Sequence, residues 1–465
     1  MPRRLPPLLA LLALALAALP AAAFARPGQQ VTFEAPRELV YTPALRDDAF
    51  ATLGSLGVRS LRIVLYWKNV APASRSRVKP AFDATDPASY AWGGYDAAID
   101  GAAQRGWKVL LTISGPVPRW ATNGAKDTLT YPRTREFQAF ATAVARHYAG
   151  RVEAYSIWNE PNQPQFLLPQ YDARHRPVSP RVYRGLLLAA IRGLRAGGAG
   201  EVPVLMGETS PQGTGKVVAP LTFLRGALCL NAAYRPTRRC ARLPVAGYAH
   251  HAYTTKAGPF YVPPSPNSVT IGVLGRLVRA LDRAARAGAI PRRLPIWLTE
   301  FGIQSVPDVS YGVSLATQNE YRAIAERIAW DSPRVAAFSQ YLLRDDLPLR
   351  GRRGAARYGG FESGLRTAAG RDKPALAGFR LPLAARRRGA RVALWGLVRP
   401  AGGPTRVVLQ AADRGRAFRR VADVATGATG AWRRTAAYRA GRRYRVVWTA
   451  PDGRRFTSPP VRAYR

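Results

Sequence analysis

Short hydrophobic runs recur along the first 380 residues, each followed by helical spacing or by a long loop. The runs cover residues 31–35, 60–66, 108–113, 152–158, 202–207, 245–251, 294–299 and 335–342. Stretches with apolar positions three and four apart lie between them, at 47–56, 95–105, 133–148, 180–196, 271–287 and 317–331. A continuous apolar run suits a strand buried on both faces, and the wider spacing suits an amphipathic helix. Strand and helix alternating eight times predict an α/β chain closed as a (β/α)8 TIM barrel over residues 26–380. The longest connection, 208–244, is expected to decorate one end of it.

The pattern changes near residue 380. Segments 391–398, 405–410, 432–438, 443–448 and 461–464 alternate between apolar and polar positions and are separated by Gly, Pro and Asp turns. They predict a small all-β sandwich over residues 388–465. No aromatic triplet marks this region as a carbohydrate-binding module, so a packing or spacing domain is the plainer expectation.

Residues 1–25 have the layout of a secretion signal: Arg3 and Arg4, an apolar stretch from Leu8 to Leu19, and a small-x-small site at Ala23-Phe24-Ala25. No later segment is long and apolar enough to span a bilayer. An exported protein, extracellular or held at the wall, is expected. Cys229 and Cys240 flank a short polar segment, which in an exported chain predicts a disulfide. Two thiols with no neighbouring histidine make too few ligands for a metal.

The formal charge of +42 alone would suggest a nucleic-acid partner. Yet the arginines run along the whole chain and nearly exclude lysine, of which there are seven. That argues for a compositional bias rather than a specific nucleic-acid patch. A non-specific attraction to anionic wall polymers remains physically reasonable.

Two of the strand-like runs end in a glutamate. The fourth leads into Trp158-Asn159-Glu160-Pro161-Asn162, and the seventh into Thr299-Glu300-Phe301-Gly302. Cleaving a glycosidic bond with retention needs one carboxyl to protonate the leaving oxygen and another to attack the anomeric carbon, about 5–5.5 Å apart. These two motifs resemble those of the clan A glycoside hydrolases, which include the cellulase-like family 5 and the xylosidase- and iduronidase-like family 39. The resemblance covers roughly residues 30–380. It implies Glu160 as acid/base, Glu300 as nucleophile, Asn159 as the residue that holds the sugar 2-hydroxyl, and no metal or organic cofactor.

Other candidates follow from their places at strand ends. Arg62 interrupts an apolar strand and, facing inward, would pair with Glu300; an inward arginine also matches family 5. Alternation places His251 and Tyr253 on one face and His250 on the other. The His-x-Tyr pattern resembles the clan's, in which the tyrosine lies against the nucleophile. Trp67, Trp120 and Trp158 are either sugar platforms or barrel-top core. Tyr341 or Gln340 would line the site after the eighth strand, where a tryptophan is common in family 5. Glu208 reads as a loop brace or subsite contact, and Asn162 and Gln304 as substrate contacts or braces. Residues 361–365 and 373–375 resemble the clan's barrel-closing tail.

The leading expectation is a retaining hydrolase of a poly- or oligosaccharide. A non-hydrolytic carbohydrate-binding protein on the same barrel is the alternative, and a polyanion-binding surface protein a third.

Overall fold

The computed structural model describes residues 29–400 and 403–465. The expected secretion signal lies outside them. Eight parallel strands close into a barrel: β1 (Gln30–Glu34), β2 (Ser60–Tyr66), β3 (Lys108–Ser114), β4 (Ala154–Ile157), β5 (Val204–Thr209), β6 (Gly247–His251), β7 (Ile296–Glu300) and β8 (Val335–Tyr341). The ring is shut by pairing of Val31 with Phe338. Leu110, Ala154, Leu205, Ala249 and Trp297 fill its lower interior, so the barrel is a packed core rather than a pore. The helices Gly94–Gln104, Thr134–His147, Ser179–Ala196 and Leu315–Asp331 fall where the spacing puts them, within a few residues. The 208–244 connection also carries a helix, Pro220–Ala227, that was not expected from the sequence. Beyond that helix Cys229 and Cys240 are bonded, with S–S 2.02 Å.

The C-terminal region forms two antiparallel sheets. One comprises β9 (Leu383–Arg388), β10 (Arg391–Gly396) and β13 (Trp432–Ala437). The other comprises β11 (Arg406–Ala412), β12 (Arg419–Ala425), β14 (Arg443–Thr449), β15 (Arg455–Thr457) and β16 (Val461–Arg462). Val392 and Leu394 from the first sheet pack with Leu409, Val446 and Trp448 from the second. The first strand starts at Leu383, ahead of the boundary at 388 read from the sequence. Its Arg386-Arg387-Arg388 run masked it.

The sandwich is docked on the barrel. Ala384, Trp395 and Leu397 pack against Ile324, Ile328 and Trp330 of the helix Leu315–Asp331. Beside this patch the buried Glu326 accepts from Arg322 at 3.0 Å and from Arg399 of the sandwich. Burial pushes Glu326 up, but Arg399 and Arg322 outweigh it and hold the carboxyl below its ordinary value.

Candidate active site

Alternation along the strands decides which side chains reach the barrel mouth. On β2 it selects Arg62, Val64 and Tyr66; on β1, Thr32 and Glu34; on β3, Thr112 and Ser114. Two bulges then redirect carboxylates. Between β6 and β7 the register runs Ala249 to Trp297 and then His251 to Glu300, so β7 carries one extra residue where Glu300 turns inward. Between β5 and β6 it shifts across Gly207 and Thr209, around Glu208. Bulges beside active sites commonly re-aim side chains in this way. Glu208, Trp158 and Glu160 have left-handed backbone, with φ of 50°, 71° and 40°. Such conformations cost on the order of 1–3 kcal/mol each and persist where the surroundings over-determine them. Gly115 permits one of them, since a Cβ there would sit 2.5 Å from the Trp158 ring.

The result is a buried charge cluster centred on Arg62. Its Nη1 donates to Glu300 Oε1 at 2.6 Å and to Glu34; its Nη2 donates to Asn159 Oδ1 at 2.8 Å and to Glu208 Oε2 at 3.1 Å. The second cation is His251, with Nδ1 2.9 Å from Glu160 Oε1 and Nε2 2.7 Å from Glu208 Oε2. Tyr253 Oη donates to Glu300 Oε2 at 3.1 Å, and Thr299 Oγ1 to Glu208 at 2.7 Å. One carboxylate oxygen each from Glu160 and Glu300, with a His251 nitrogen, lie within 4.8 Å of one another.

Electrostatics divide three of the acids. Burial raises Glu160, although its contact with His251 pulls the other way. Burial also pushes Glu34 up to about 8; Arg62 opposes the shift and Glu300 adds to it. Burial pushes Glu208 up as well, yet Arg62 and His251 outweigh that and hold it at about 2. Burial disfavours the charged ring of His251, but Glu300, Glu160 and Glu208 raise it to about 10. Both ring nitrogens of an imidazolium donate. His251 is therefore set to donate to both Glu160 and Glu208.

Of the residues singled out in the sequence, Arg62, Asn159, Glu160, His251, Tyr253 and Glu300 converge here. Tyr341 stands edge-on to Tyr253, with ring centroids 6.5 Å apart. His250 faces away, bonded to Thr209 and Val269. Trp67 and Trp120 require correction as substrate contacts. Both are fully buried outside the barrel mouth, Trp67 stacked on Phe140 at 5.0 Å and edge-on to Trp120 at 5.7 Å. Trp158 lies in the same aromatic layer against Phe137. The period of two places Tyr66 rather than Trp67 on the side of Arg62, and Tyr66 lies in the field of Glu34 and Glu300. Gln340 also points outward, accepting from Arg322 at 2.7 Å. Asn162 and Gln304 brace loops, through Ser210 and Val218 and through Gly360 respectively.

Two residues were underread. Glu208 is no loop brace but the fully buried carboxylate that links Arg62, His251 and Thr299. Glu34, like Glu300, is the last residue of its strand.

No protein-family model matches this chain, and no curated protein matches it. Solved structures do. A glucosidase from Croceicoccus marinus superposes with a TM-score of 0.53 at 13% identity, over 90% of this chain and 94% of its own. A family 39 glycoside hydrolase from Bacteroides cellulosilyticus gives 0.54 at 16%, over 90% and 80%. A family 39 β-xylosidase from Caulobacter crescentus gives 0.51 at 18%, over 83% and 82%. At these identities the likeness is one of fold, and the fold is that of the clan A glycoside hydrolases.

Proposed function

We propose that the protein is an exported retaining O-glycoside hydrolase acting on a poly- or oligosaccharide. The observation that carries this reading is the facing pair Glu160 and Glu300, whose nearest oxygens lie within 4.8 Å. Retaining enzymes hold their carboxyl groups about 5–5.5 Å apart, whereas inverting ones leave about 6.5–9.5 Å for a water. Glu160, raised by burial, is suited to protonate the leaving oxygen. Glu300, oriented by Arg62 and Tyr253, attacks the anomeric carbon and forms a glycosyl-enzyme. The leaving alcohol departs with the Glu160 proton. Glu160, now a base, draws a proton from water, which displaces Glu300 and regenerates both groups. Asn159, fixed by Arg62 through its oxygen, offers its amide nitrogen to the sugar. Solved neighbours named as a glucosidase and a β-xylosidase favour a pyranoside substrate.

Stereochemistry separates the two roles. With a dinitrophenyl glycoside, Glu160→Ala should still form the glycosyl-enzyme, stall there, and be rescued by azide with retained configuration. Glu300→Ala should form no intermediate and give the inverted glycosyl azide. The opposite pattern would exchange the assignments, and full activity in both variants would remove the site.

A further inference from the structure

We propose that the sandwich carries a docking groove for an acidic, uronate-bearing polysaccharide. The arginines are not evenly spread after all. Residues 383–465 hold 20 arginines against three aspartates, with no lysine and no glutamate, a formal +17 of the chain's +42.

Their placement on the β9–β10–β13 sheet is specific. Arg388 stands directly opposite Arg391, Ala393 lies between Arg386 and Thr435, and Trp395 opposes Arg433. Successive residues on a strand point to opposite faces, so these rows share one face. Trp395 covers one end of that face by packing on the barrel helix. The rest is a trough of about 710 Å³ with Ala393 and Thr435 in its lining and arginines along its sides. Asp331 pairs with Arg327 and Arg433 at one end. The exposed side chains of Arg386, Arg388 and Arg391 make no hydrogen bond or ion pair among the described residues.

Like charges directly across a strand pair destabilise a sheet. A chain of carboxylates laid in the trough would relieve that repulsion and form bidentate pairs with the guanidinium forks. The trough lining includes no aromatic ring of the kind on which single-stranded nucleic acid stacks its bases. The choice of a polysaccharide rests on the glycosidase reading of the barrel; the groove itself does not.

The test is affinity electrophoresis of the full chain in gels containing alginate, carboxyl-reduced alginate or duplex DNA. The variant Arg386→Ser/Arg388→Ser/Arg391→Ser is compared with a control, Arg181→Ser/Arg286→Ser/Arg292→Ser, that removes as many exposed arginines from the barrel. Alginate should retard the wild type and the reduced polymer should not. The groove variant should weaken alginate binding about tenfold and the control much less. Turnover of a dinitrophenyl glycoside should be unchanged in the groove variant. No retardation by alginate, equal retardation by the reduced polymer, or equal weakening in the control would overturn the proposal. Loss of DNA binding alone in the groove variant would assign the trough to nucleic acid and overturn it too. If the groove variant does not fold, phenylglyoxal labelling of the wild type decides. Alginate should shield Arg388 and Arg391, and unshielded labelling refutes the groove. Alginate binding that survives a failed activity test leaves the docking surface standing without the hydrolase.

Discussion

The barrel mouth and the sandwich trough both collect charge, and they treat it in opposite ways. In the mouth, Arg62 and His251 are fully buried and each touches several carboxylates. In the trough, Arg388 faces Arg391 in solvent, and neither makes an ion pair among the described residues. A buried charge without a partner costs several kcal/mol, so the mouth holds its cations and acids in a closed network. An exposed charge pays little for standing alone, which leaves the trough free to take its counter-ions from outside.

The largest effect should come from breaking the closed network. Arg62→Met leaves Glu34, Glu208 and Glu300 without their shared cation, and we expect a loss of about 3–5 kcal/mol together with activity. Urea unfolding measures the first and turnover the second. A variant as stable as the parent would mean that the acids are neutralised by protons rather than by Arg62.

An intermediate effect is expected from pH. Folded Glu34 keeps its proton to about 8, against an ordinary value of 4.5, so its contribution falls as pH rises between them. His251 keeps its proton to about 10 against 6.5; its contribution is complete below 6.5 and is lost as pH climbs to about 10. Glu208, held at about 2, contributes fully above 4.5 and loses that contribution only as pH falls through about 2. The urea midpoint should therefore decline from about pH 5 to about pH 10, and Glu34→Gln should flatten the lower half of that slope. A level profile in the wild type would contradict both shifts.

The smallest effect belongs to the trough. Arg388→Thr/Arg391→Thr removes a like-charge pair and should stabilise the protein by roughly 0.2–1 kcal/mol, read from the same urea midpoint. A loss of several kcal/mol would show that these arginines are structural.

Much of this was legible in the sequence, for physical reasons that can be traced. β2 was bounded correctly because an apolar run of that length suits a strand buried on both faces, and Arg62, the one charge within it, stood out. Glu160 and Glu300 were legible because each closes such a run. The bulges at Glu208 and before Glu300 were not, since an extra residue leaves the apolar run intact while turning the side chain by one face. Trp67 follows a strand with no bulge, so strict alternation turns it away from Arg62 and decides for the core reading over the sugar platform. β12 escaped because it is largely solvent-exposed, so its sequence does not alternate.

The Glu326 contact with Arg399 bears on how the chain could be divided. A protein cut at residue 382 would expose the surfaces of Ile324, Ile328 and Trp330 and strip Glu326 of one of its two arginines. The barrel holds every residue of the proposed site, yet its last long helix is finished by residues that come after it. The sandwich thus serves as part of the barrel's outer wall, and a stable fragment that carries the proposed site has to include it.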